Sequence, residues 1–112
     1  MKTLNFFPFY EPYLLARTKT TTFRLPPRET LSPGDEVMLT VGWTEVEAKR
    51  LHKARISTTY ERAASDLRSE DFEGESPDCQ EPEATRLVLG AIYRRIVAPT
   101  DQIWIIKFKH LD

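Results

Sequence analysis

The sequence predicts a small α+β fold, and three stretches carry that expectation. Thr20-Thr21-Thr22-Phe23-Arg24 is rich in β-branched residues, which pack well on a pleated surface. Ile103-Trp104-Ile105-Ile106 is apolar on both faces, as in a central strand. Between them Leu89, Ile92, Tyr93 and Ile96 recur at the helical period.

Composition narrows the function classes. At 112 residues the chain fits one domain over 1–112, large enough to bury a modest core without staples. Its 16 Lys and Arg against 17 Asp and Glu give a net charge of −1, which excludes a polycation built for non-specific nucleic-acid binding. Any such role has to be local. Cys79 is the only cysteine, so an intrachain disulfide and a cysteine-based zinc site are excluded, and a reducing, cytoplasmic setting fits. Pro8, Glu11 and Pro12 interrupt the Phe6, Phe7 and Phe9 cluster, which therefore does not read as a signal peptide. No apolar run approaches the roughly 18–20 residues needed to span a bilayer, so no membrane partner is expected. His52 and His110 are far apart in the sequence without ligand-spaced partners and read as surface or rim residues. No metal or cofactor is expected, and a monomer is favoured.

Taken in order, the chain opens with an aromatic segment, Met1 to Tyr13, that reads as core, partner surface or a stacking platform for a base. Tyr13 to Ala16 supplies about one helical turn. Thr20 to Arg24 follows as the first strand. Alternation puts Thr20, Thr22 and Arg24 on one face and Thr21 and Phe23 on the other. Phe23 belongs in the core, so Thr22 and Arg24 face whatever lies opposite. Lys19 joins them only from the turn before the strand.

Pro26-Pro27 makes Leu25 to Leu31 a loop, and Pro33-Gly34 suits the centre of a type II turn. Val37, Leu39 and Val41 then alternate in a strand over Asp35 to Val41. Ala54, Ile56 and Thr58 alternate within the longer stretch from Trp43 to Tyr60, which also carries Lys49, Arg50, Lys53 and Arg55. Those cations solvate an outer face or track a phosphate chain. Glu61 to Leu67 suits a short helix. Glu70 to Glu83 is acidic and broken by Gly74, Pro77 and Pro82, which predicts a mostly mobile, solvated loop. The clearest helix runs from Ala84 to Val97, with Pro99 beyond it, and Gln102 to Lys109 closes the chain as a strand.

The cluster at Arg17, Lys19, Thr22 and Arg24 resembles the signature of the ASCH family, which has glycine, lysine, Glu or Thr, and arginine at this spacing. Arg17 stands at the glycine position. Leu31 to Val37, the pair Glu73-Gly74 and the final apolar strand extend the resemblance over most of the chain. It implies a small PUA-like mixed β-barrel decorated by helices, with a cleft beside the Thr20–Arg24 strand. It also implies that the partner is RNA or a modified nucleoside, with Arg17, Thr20 and Arg24 as ligand contacts. Arg17, Lys19, Arg24 and Arg28 make this quarter of the chain basic, which suits a phosphate or the polar edge of a base.

Bacterial ASCH proteins that also carry Thr at this position are acetylcytidine amidohydrolases, and the resemblance assigns their catalytic set to Lys19, Thr22 and Glu73. In that chemistry Thr22 Oγ attacks the acetyl carbonyl, a neutral Lys19 takes the hydroxyl proton, and Glu73 serves the leaving amine or orients the lysine. A ribonuclease working on the RNA backbone is a further alternative.

Overall fold

The computed structural model describes residues 1–26 and 30–111. Arg28, and with it part of the loop expected from Leu25 to Leu31, lies outside the described residues. The elements are strand β1 (Lys2–Phe6), a 3-10 turn (Pro8–Tyr10), helix α1 (Glu11–Leu15), strands β2 (Thr21–Arg24), β3 (Glu36–Val41) and β4 (Lys49–Ala63), a 3-10 turn (Ala64–Asp66), helices α2 (Ser69–Phe72) and α3 (Pro82–Tyr93), and strand β5 (Gln102–His110). No helix among the described residues is long and apolar enough to cross a membrane.

All five strands form one mixed sheet in the order β1-β3-β4-β5-β2. β1 runs parallel to β3, and the other pairings are antiparallel. β4 is the spine. Its first half pairs with β3, and most of its length pairs with β5, with a register shift between Ile56 and Thr58. An extra residue at such a point bends the strand and increases its twist, so one long strand curls the sheet into a half-barrel. The curl brings the edge strands within reach of each other: Arg24 Nη2 on β2 donates to the carbonyl of Asn5 on β1 at 2.6 Å.

Two cores follow from this curvature. One collects Leu4, Phe6, Tyr10, Leu14, Val37, Leu39, Val41, Ala54 and Ile56 with Trp104, Ile106 and Phe108. The other collects Phe23, Leu25, Leu67, Phe72, Leu89 and Val97 with Ile103 and Ile105. β5 thus feeds even-numbered residues to one core and odd-numbered residues to the other, which is why its sequence is apolar on both faces.

The expected order of elements holds, with four corrections. The aromatic N-terminus begins with strand β1, because Leu4 and Phe6 reach the core on alternate positions. β4 runs on through Glu61 to Ala63, where a helix was expected, and only a 3-10 turn follows. α3 ends at Tyr93, since Arg94 adopts a left-handed φ of 55° and its N–H caps the Gly90 carbonyl. The acidic stretch is not a solvated loop: Asp71, Phe72, Glu75, Ser76 and Cys79 are all buried. Ser32–Asp35 does form the expected turn, with the Asp35 N–H on the Ser32 carbonyl at 3.0 Å and Gly34 at φ 92°.

Candidate ligand-binding cleft

Where the two cores meet, the gap between β1 and β2 opens into a cleft of about 230 Å³. Phe6, Phe7, Phe23, Leu89, Ile92 and Tyr93 supply apolar walls, and Asn5, Tyr10, Thr22 and Arg24 add polar groups. Lys19 and Glu75 line it as well. The volume is below the roughly 300–1,000 Å³ of pockets for drug-sized ligands, so it suits a ligand of about one ring system.

Lys19 is the most constrained group in this cleft. It sits ahead of β2, buried to 2% exposure, and its ammonium donates to three acceptors: the Glu75 carboxylate, the Thr21 carbonyl at 2.9 Å and Ser76 Oγ at 3.1 Å. An ammonium has three N–H bonds, and all are used. Glu75 is equally satisfied, accepting from the backbone N–H of Phe23 at 3.1 Å, the N–H of Ser76 at 2.7 Å and the Ser76 hydroxyl at 2.8 Å. The Tyr10 ring, 5.0 Å from Lys19 Nζ, adds a cation–π contact.

Alternation along β2 puts Thr22 and Arg24 on one face. Arg24 Nε donates to Thr22 Oγ at 3.3 Å, and its guanidinium lies 5.0 Å from the Phe6 ring centre. Lys19, Thr22 and Arg24 therefore come together in the cleft lining.

The other three sequence candidates do not line it. Glu73 is exposed, and its backbone carbonyl serves structure by accepting from Thr21 Oγ at 2.5 Å and Lys107 Nζ at 3.2 Å. The carboxylate that meets Lys19 is Glu75, two residues on. The cause is Gly74, whose carbonyl takes the N–H groups of Thr20 and Thr21 at 2.7 and 3.0 Å and turns the chain so that the next side chain points inward. Thr20 packs its hydroxyl against Gly74. Arg17 is exposed, with φ 63°. That left-handed conformation costs a non-glycine residue roughly 1–2 kcal/mol, which gives a physical reason for glycine at this place in the signature. Its side chain donates to the Leu15 carbonyl, at 3.4 Å.

Sequence reasoning missed Glu75 and Glu45, an exposed residue of the β3–β4 hairpin that also lines the cleft. Among Glu70, Glu73 and Glu75 nothing local marked the one that turns inward.

Behind Lys19 lies a histidine pair. His110 Nε2 is 2.8 Å from the Lys19 carbonyl, to which it must donate, so neutral His110 presents Nδ1 as an acceptor to His52 Nε2, also 2.8 Å away. The two histidines, distant in sequence, are one hydrogen-bonded unit. Burial, then the charge of nearby Arg17, pushes the pKa of His52 down; burial and Arg17 outweigh the Lys19 carbonyl in lowering that of His110. A histidine that resists protonation when folded leaves the unfolded chain binding more protons just below its ordinary pKa of about 6.5. The stabilisation is complete above that pH and is lost as pH falls through the lowered values. Urea midpoints measured from pH 7.5 down to pH 5 should therefore fall, and His52→Gln should flatten the decline. An equal decline in that variant would remove the pair as its source.

These features define a class: an α+β protein with a curled mixed sheet and a small cleft between its edge strands. No protein-family model matches the chain, and no curated protein matches it in sequence. Solved structures do. A protein from Enterococcus faecalis V583, assigned to the family model DUF984, aligns with TM-score 0.71 at 13% identity, covering 100% of this chain and 81% of that one. An ASCH domain from Lactobacillus crispatus JV V101 aligns with TM-score 0.64 at 12% identity, over 88% of this chain and 68% of that one. The chain has an ASCH-like fold, a PUA-like α+β architecture.

Proposed function

We propose that the cleft binds a nucleoside, either free and modified or as a unit of RNA. The carrying observation is the lining itself: aromatic walls from Phe6, Phe7, Phe23 and Tyr93 around the Thr22 hydroxyl and the Arg24 guanidinium. Flat apolar faces hold a base by stacking, and fixed polar groups read its edge. Thr22 Oγ accepts from Arg24, which turns its O–H proton toward a ligand acceptor. The test is titration with the four common nucleosides and acetylcytidine, followed by NMR. Saturable shifts confined to cleft residues support the reading. Shifts absent for every nucleoside and for a short single-stranded RNA sink it.

A second reading, deacylation of acetylcytidine or a related acylated nucleoside, is favoured by the burial of Thr22 beside a lysine–carboxylate pair. Glu75 takes the place assigned to Glu73. In this reading Lys19 passes a proton to Glu75 and then turns its amine from the pair toward Thr22, where the lone pair accepts the hydroxyl proton as Oγ adds to the acyl carbonyl. Collapse breaks the C–N bond, the amine leaves with the proton held by Glu75, and water then hydrolyses the acyl ester to release the acid and restore the Thr22 hydroxyl. Chromatography of acetylcytidine incubated with the protein tests this: cytidine release by wild type that disappears in Thr22→Val, with binding retained, supports the hydrolase. Release that persists in Thr22→Val removes Thr22 as nucleophile.

A further inference from the structure

The nucleoside reading leaves open whether the ligand carries phosphate, and the charge of the cleft bears on that. Among the described residues its lining holds two cations, Lys19 and Arg24, and two carboxylates, Glu45 and Glu75. Lys19 and Glu75 neutralise each other in a buried ion pair that uses every lysine N–H. Arg24 is committed to the Asn5 carbonyl and Thr22 Oγ and stands over Phe6. Glu45 differs from these three. It is exposed at the cleft on the hairpin between β3 and β4, makes no ion pair among the described residues, and has Glu47 on the same hairpin.

A site that holds phosphate normally offers uncommitted donors or excess positive charge. Here the Lys19–Glu75 pair cancels, Arg24 keeps its charge but is held by acceptors of the protein, and the exposed charge among the described lining residues is the Glu45 carboxylate. We propose that Glu45 is a specificity-determining residue that makes the cleft select unphosphorylated nucleosides over nucleotides and RNA. The proposal rests on the nucleoside reading above. Its physical basis is like-charge repulsion, which discriminates between partners by penalising the wrong one.

The same repulsion fixes the sign of the salt effect. Phosphate-binding proteins lose affinity as salt rises. For this cleft a nucleoside monophosphate should instead bind somewhat better at higher salt, because screening weakens its repulsion from Glu45. A ribonuclease reading requires the opposite behaviour.

The experiment compares cytidine, cytidine 5′-monophosphate and a short oligocytidylate by calorimetry at low and moderate salt, with wild type and Glu45→Gln. Glu45 is exposed, so the substitution leaves the fold intact, and an unchanged melting temperature verifies that. Wild type should bind cytidine about tenfold or more tightly than the monophosphate, a discrimination of 1.4 kcal/mol or more, and Glu45→Gln should reduce that ratio to about threefold or less. A monophosphate or oligomer that binds wild type as tightly as cytidine overturns the proposal while leaving the nucleoside reading standing. A ratio unchanged in Glu45→Gln does so as well. Failure of all three probes on both proteins overturns the reading and the proposal together.

Discussion

Glu75→Gln should destabilise the protein by roughly 3–5 kcal/mol, the cost of stranding a buried charge without its partner. Lys19 and Glu75 have side chains only 2% and 3% exposed, and each satisfies the other within a network that also uses Ser76 and the backbone of Thr21 and Phe23. Loss of the carboxylate leaves a nearly fully buried ammonium facing a neutral amide. Lys19→Met should cost a similar amount for the mirror-image reason.

The double variant Lys19→Met/Glu75→Gln should be less damaged than the sum of the two, because neither partner is then left charged. The surplus is the coupling energy of the pair. Urea denaturation of the four proteins measures it. Single variants that each cost under about 1 kcal/mol, the range of exposed pairs, would contradict the burial argument. One consequence bears on activity assays: Lys19→Ala loses structure as well as chemistry. Thr22→Val, which removes a hydroxyl and no charge, is the cleaner probe.

What the sequence revealed of this arrangement follows from the range of the interactions involved. Alternation is local, so the shared face of Thr22 and Arg24 and the double-sided burial of β5 were legible from spacing alone. Lys19 preceding its strand was legible for the same reason. β1 was obscured because Lys2–Phe6 is read beside a denser run of aromatics and prolines, and its pairing with β3 reaches 35 residues along the chain, from Lys2 to Val37.

The acidic stretch was misread because composition scores each carboxylate as solvated. Two of them are instead drawn inward by partners outside the stretch. Asp71 meets Arg62 and the Tyr60 hydroxyl, at 2.8 and 2.5 Å, and Glu75 meets Lys19. No local rule finds such partners. The family resemblance came close by marking Glu73-Gly74. A turn at Gly74 hands the inward position to the residue after the glycine.

Gly74→Ala tests that turn directly, and it should cost about 2–5 kcal/mol. Two effects add. Gly74 has φ 82°, a conformation that penalises a side chain by roughly 1–2 kcal/mol. A Cβ there would overlap the Thr20 hydroxyl and come within 3.2 Å of Thr21 Oγ and 3.3 Å of Thr20 Cβ, and relieving such overpacking typically costs roughly 1–3 kcal/mol. Gly34 provides the control. Its φ of 92° imposes the conformational part, yet an added Cβ would meet nothing within 4 Å. Gly34→Ala should therefore lose only the smaller amount, and the difference between the two variants isolates the contact. Relief at position 74 moves Thr20 and Thr21 away from Gly74 at the start of β2, so Gly74→Ala should also weaken any ligand that touches Thr22, whereas Gly34→Ala should leave that affinity alone. Equal destabilisation by both substitutions would mean that the Gly74–Thr20 contact yields easily and that the turn does not hold the strand in place.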